Sequence, residues 1–256
     1  MSLPVKAAAG GGVSALAAVG GYGVSTLFGK EPIHIQNPTP GKFGEDFQFH
    51  FMDASDNRND SWWKERFDKL QAENDSEFST EFKKNVVDSV DKLKTACNDA
   101  YSTKTTKTDM HPDTDDAGTK AKYEKDVWTF CSIDGKNPKT ISEAKEEGRD
   151  EYKDKSGKEK SAIFVSVHDR ENQGFWERQA RAFYKRKSED GTKEIEGIGK
   201  IASDTNLGFK TLYAKSEKDR TVEDLKAACE NRYKDTFDST KDKETLRFCS
   251  LQGKQD

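Results

Sequence analysis

The chain has 256 residues, of which 35% are charged and only 32% hydrophobic, with a formal net charge of −4. So polar a composition predicts thin cores beneath solvated helix surfaces. The near balance of 43 basic against 47 acidic residues excludes the dominant basic face of a nucleic-acid-binding protein.

Residues 7–28 form 22 consecutive positions without a charge, bracketed by Lys6 and Lys30. A bilayer core needs about 20 mostly apolar residues. Val13, Leu16, Val19, Val24, Leu27 and Phe28 supply most of the transfer energy, since glycine and alanine fill much of the rest. Two readings stay open: a signal anchor, making residues 1–40 a single transmembrane segment with the bulk of the chain outside, or a secretory signal cleaved near Ala15 to Ala18. Gly21 and Gly23 do not make a dinucleotide loop, because no strand precedes them and Thr26 stands where a third glycine is needed.

A first module is expected over residues 41–139. An apolar run at Phe51 predicts a short strand, followed by a polar turn and an aromatic pair, Trp62 and Trp63, that opens a helix. Val86, Val90, Leu93, Cys97 and Tyr101 then step by four, three, four and four, one face of a second helix. Tyr123, Val127, Trp128 and Cys131 give a third helix stopped at Gly135. Between these two helices, Asp113 to Glu124 resembles a calcium-binding loop with Asp113, Asp115, Gly118 and Glu124 at its ligand positions. Ala117 removes a ligand and Lys120 replaces an aliphatic residue, so a solvated acidic connector is expected instead.

Residues 140–160 are mostly charged, and Thr140 with Glu143 forms a capping pattern after Pro138. A solvated, charged helical linker is predicted there. A second module then follows over residues 161–256.

The second module repeats the first. LKTACNDAY (Leu93 to Tyr101) returns as LKAACENRY (Leu225 to Tyr233), and TFCSIDGK (Thr129 to Lys136) as RFCSLQGK (Arg247 to Lys254). Away from the cysteines, Phe51, Asp56, Asn59, Trp62 and Trp63 fall on Phe164, Asp169, Asn172, Phe175 and Trp176, a constant offset of 113 (164 − 51). The chain therefore holds an internal duplication. From tryptophan to first cysteine the spacing is 34 residues in copy one (97 − 63) and 53 in copy two (229 − 176). The excess lies around Gly191, Gly197, Gly199 and Gly208, where an insertion is tolerated because loop-closure entropy grows only logarithmically.

The fold class expected is mainly α: an amino-terminal transmembrane helix, then two tandem helical modules, each with a cysteine-stapled helical hairpin and a short strand. Four cysteines allow three pairings. Only Cys97 with Cys131 and Cys229 with Cys249 would have completed an ancestral single module, and each such bridge is worth about 3 to 4 kcal/mol. Four buried reduced thiols are the alternative. Because the linker has few apolar residues, the modules are expected to fold independently.

No cofactor or metal is expected. There is no CxxC pair, and His34, His50, His111 and His168 do not recur at equivalent repeat positions. His168, beside Asp169, reads as a polar turn residue. Trp62, Trp63, Phe175 and Trp176 read as core rather than as a sugar or peptide platform.

The Gly/Ala-rich apolar amino-terminal segment, the LKxxC helix end at Leu93 to Cys97, the W-x-F-C-S segment at Trp128 to Ser132 and the Thr-Ile-Ser-Glu start at Thr140 together resemble the large paralogous protein families of haemotropic mycoplasmas. Typical members resemble one module, so the chain looks like a double-module version over Phe43 to Asp256. Copy two departs by carrying Leu246 where the tryptophan stands. The resemblance implies membrane-associated or surface-exposed protein with no catalytic residues, exported from cells that lack a wall into oxidising plasma, where disulfides persist. The expected function is non-enzymatic: surface display for host contact, with a host protein as candidate partner, or antigenic display. A secreted enzyme with a site assembled from distant residues and a passive spacer are the alternatives.

Overall fold

The computed structural model describes residues 32–112, 118–187, 192–203, 208–238 and 242–254. The expected anchor over residues 7–28 lies outside them. Among the described residues no helix is long and apolar enough to cross a membrane.

The first module runs through α1 (Phe43–Asp46), α2 (Asp60–Ala72), α3 (Val90–Thr103) and α4 (Thr119–Cys131). The second answers with α5 (Ser156–Glu159), α6 (Gln173–Phe183), α7 (Phe209–Tyr213), α8 (Val222–Tyr233) and α9 (Lys243–Cys249). A two-stranded antiparallel ribbon, β1 (Arg186–Lys187) with β2 (Glu194–Ile195), lies between α6 and α7. The mainly helical expectation is met.

Both cysteine helices begin on a side-chain cap. Ser89 accepts from Lys92 N at the start of α3, while Thr221 and Asp224 form a reciprocal capping box on α8. Leu93, Cys97 and Tyr101 are buried along α3, and Leu225, Cys229 and Tyr233 along α8. Val86, expected at the head of the first face, lies before the cap and is 45% exposed. The strands expected at Phe51 and its counterpart shrink to isolated bridges, Phe51 with Ser132 and Phe164 with Ser250. Each makes too few ladder bonds to extend.

Residues 140–160 are not a solvated helical linker. Ile141 N donates to Phe164 O at 2.8 Å and Ser166 N to Lys139 O at 3.0 Å. In copy one, Ile35 N donates to Phe51 O at 3.1 Å and Asp53 N to Ile33 O at 2.9 Å. Lys139 and Ile141 thus stand where Ile33 and Ile35 stand, and the second module begins near Lys139. Thr140 and Glu143 do exchange the capping bonds, but in a turn rather than a helix, with Lys145 in the left-handed region at φ 58°. Ile141 and Tyr152 are fully buried. Their burial is what a count of charges conceals.

Two glycines mark the same contact in each copy. A Cβ on Gly44 would lie 2.9 Å from Tyr101 Cβ and O, and one on Gly157 would lie 3.0 Å from Tyr233 O. Only glycine lets α1 and α5 approach so closely the ends of the cysteine helices.

The buried apolar residues of both modules form one contiguous cluster. Phe175 of α6 packs 4.8 Å from the His50 ring and 6.2 Å from Trp128. The modules therefore meet through a shared core, not across a solvated hinge.

Candidate functional site

The four cysteines pair within their copies, Cys97 with Cys131 and Cys229 with Cys249, each at a Cα separation of 5.7 Å. The second cysteine of each bridge anchors its surroundings through its carbonyl. Cys131 O accepts from Met52 N at 3.2 Å and from Tyr101 Oη at 3.1 Å. Cys249 O accepts from Val165 N at 3.0 Å and from Tyr233 Oη at 2.9 Å. Burial pushes both tyrosine hydroxyls well above their ordinary pKa, so they remain donors. All four sulfurs belong to fully buried residues, a structural staple rather than an accessible redox pair.

Trp62, Trp63, Phe175 and Trp176 are core: none exceeds 4% exposure. Asn59 and Asn172, aligned by the 113-residue offset, sit behind them. Asn59 accepts from Ile33 N and donates to Ile33 O and Asp53 O; Asn172 accepts from Lys139 N and donates to Lys139 O and Ser166 O. The indoles of Trp63 and Trp176 add a donor to the same Asp53 and Ser166 carbonyls.

Polar groups also bridge the modules. Asp134 receives Arg178 Nε and Nη2 at 3.0 to 3.1 Å. His111 Nδ1 lies 2.7 Å from Glu124 Oε2 and its Nε2 3.1 Å from Ala162 O. With an ionised Glu124 both partners are acceptors, an arrangement that favours the doubly protonated ring. Burial opposes that charge, yet the Glu124 carboxylate and the bond to Ala162 O raise the His111 pKa above its ordinary value. Glu124 also receives the Trp128 indole at 3.3 Å, so it faces inward rather than toward a calcium loop. Asp113 and Asp115 lie outside the described residues, and Gly118, at φ 62°, opens α4. Among the described residues no three metal-binding side chains cluster.

His50 is the opposite case. Its Nε2 lies 3.1 Å from Gln179 Oε1, its Nδ1 has no partner, and burial lowers its pKa to about 4. His168 lies part-exposed, 3.4 Å from Glu230 and 3.5 Å from Tyr152 Oη.

The insertion of copy two carries a further feature. The connection between α6 and α8 carries the ribbon, α7 and a cleft of about 270 Å³ lined by Lys185, Arg186, Lys187, Lys215 and Arg220, with Glu194 and Glu217. Lys185 pairs with Glu194 at 3.2 Å and Lys215 with Asp224 at 2.7 Å. Arg186, Lys187 and Arg220 have no carboxylate partner among the described residues. Arg220 is braced by the carbonyls of Lys185 and Lys215 at 2.7 and 2.9 Å. Half-buried Arg186 stacks 4.1 Å from the Phe49 ring of the first module, and burial together with neighbouring Arg181 draws its pKa down.

The connection is pinned by packing. Phe183 and Phe209 lie 5.0 and 5.1 Å from Phe248, the ring before the second cysteine. A Cβ on Gly197 would lie 2.2 Å from Phe183 O, so the returning chain runs backbone against backbone on the end of α6. Copy one covers the equivalent Phe130 with Phe78 and Phe82 from a shorter connection, at 5.2 and 6.0 Å. The unequal spacing in the sequence located this insertion, but its basic residues were missed. They lie in two stretches within a chain of net negative charge, and only folding joins them.

Comparison with protein-family models, curated proteins and solved structures found no match.

Proposed function

We propose that the chain is a non-enzymatic surface protein, anchored in a membrane by residues 7–28 and displaying two disulfide-stapled modules for host contact or antigenic display. The observation that carries this reading is the pair of bridges, Cys97–Cys131 and Cys229–Cys249, repeated at equivalent buried positions. Such bridges persist in oxidising surroundings and not in a reducing cytosol. The resemblance to haemotropic-mycoplasma surface families and the uncharged amino-terminal run support the anchor, and Lys6 with the terminal amine supports its orientation. Further support comes from ionisable groups that hold structure: buried Glu124 and Asp126 and part-buried His111 each bond a neighbouring element.

The test is protease shaving of intact cells that make the protein, followed by mass spectrometry without reduction. Release of peptides from residue 43 onward, including a linked Cys97–Cys131 pair, supports the proposal. Protection of the whole chain until the cells are lysed, or free thiols at these positions, overturns it.

A further inference from the structure

We propose that the cleft built by the copy-two insertion binds a phosphate or sulfate monoester, with Arg186, Lys187 and Arg220 as its charge-bearing contacts. The inference holds wherever the protein resides, since it rests on the cleft alone.

Three observations point to an anionic ligand. First, among the described residues three of the five cations lining the cleft lack a carboxylate partner, while the other two pair with Glu194 and Asp224, and Glu217 is the remaining lining carboxylate. Like charges held together in a concave surface repel one another, and a bound anion relieves that repulsion. Second, the groups are held in place. Arg220 is fixed by two carbonyls and stacks 5.5 Å from the Tyr184 ring, and Arg186 is fixed on Phe49. Prepositioned guanidinium groups lose little freedom on binding, and their planar forks match the oxygens of a phosphoryl or sulfuryl group better than a single carboxylate does. Third, the duplicated scaffold covers the equivalent Phe130 with Phe78 and Phe82 from a shorter connection, so covering the core does not require these cations. A volume of about 270 Å³ admits one ester group and the first atoms of its carrier, which favours a small ligand or a headgroup.

The test is calorimetric titration of the full chain with phenyl phosphate and phenyl sulfate, alongside sedimentation with phosphatidylcholine vesicles made with and without phosphatidic acid. Binding of the free esters assigns a soluble ligand; binding only to phosphatidic acid vesicles assigns a lipid headgroup of the same chemistry. Lys187→Glu, at an exposed position, and Arg186→Gln should each weaken binding about tenfold, the loss of one charge-assisted contact. Lys92→Glu, on the exposed face of α3, should leave it unchanged. Binding in neither arm, binding that both cleft variants retain, or equal weakening by Lys92→Glu overturns the proposal.

Discussion

Asn172 repeats bond for bond what Asn59 does 113 residues earlier in the chain (172 − 59). Each buried carboxamide accepts one backbone N–H and donates to two backbone carbonyls, tying the start of its module to the turn before the aromatic helix. Neither side chain touches solvent enough to be replaced by water, as both are at most 1% exposed.

Asn172→Ala should therefore destabilise the protein by about 1 to 3 kcal/mol, since it orphans the Lys139 N–H, while Lys139 O and Ser166 O keep their bonds from Ser166 N and the Trp176 indole. Asn172→Asp should do no better, because a carboxylate cannot donate to Lys139 O and Ser166 O. Urea unfolding measures both, and a loss below about 1 kcal/mol would contradict the bracing role.

Cys249→Ser should destabilise by about 2 to 5 kcal/mol. The expectation of independent modules would confine that loss to the second copy. The continuous core, with Phe175 against His50 and Trp128, argues for coupling. Hydrogen exchange in the variant should show reduced protection in α3 and α4 as well as in α8 and α9. Full protection of the first module would show that it folds alone.

The two interface histidines should give opposite pH responses. His50, with its folded pKa lowered to about 4, is neutral in the folded state, while the unfolded chain takes up a proton near the ordinary value of 6.5. Its contribution is present above pH 6.5 and is lost as the pH falls toward 4. The full swing is about 3 kcal/mol. His111, with its pKa raised, contributes stability that is complete below 6.5 and is lost as pH rises through its folded pKa. Comparing stability against pH, His50→Gln should flatten the acid limb relative to the unaltered chain, and His111→Gln the limb above pH 6.5. Parallel curves for all three proteins would refute both assignments.

Gly197→Ala places a methyl group against the carbonyl of Phe183, 2.2 Å away, and backbone atoms cannot rotate aside. The insertion should lift from the end of α6 at a cost of about 1 to 3 kcal/mol. Gly118→Ala, where nothing lies within 4 Å but φ is positive, should cost less, about 1 kcal/mol. Thermal melts that rank the two variants the other way would count against the packing assigned to the insertion.

Much of this molecule can be read along the chain because duplication prints each constraint twice. Leu93, Cys97 and Tyr101 recur as Leu225, Cys229 and Tyr233, and a helical period plus a repeat is enough to place the cysteines inward and pair them within copies. The extra residues before Cys229 are equally visible. Residues 140–160 misled because the signal there is charge: Ile141 and Tyr152, two apolar residues among many ionised ones, decide that the segment joins the core.

By itself the sequence determined the helical class, the two modules, the order of their elements and the disulfide scheme, since these depend on periodicity and local spacing. Tertiary structure alone decided that the modules share a core, that the pKa of His50 falls while that of His111 rises, and that Arg186, Lys187 and Arg220 line one cleft. Those outcomes depend on burial and on distances between residues far apart in the chain. A charge is felt in proportion to what surrounds it, and only the fold supplies the surroundings.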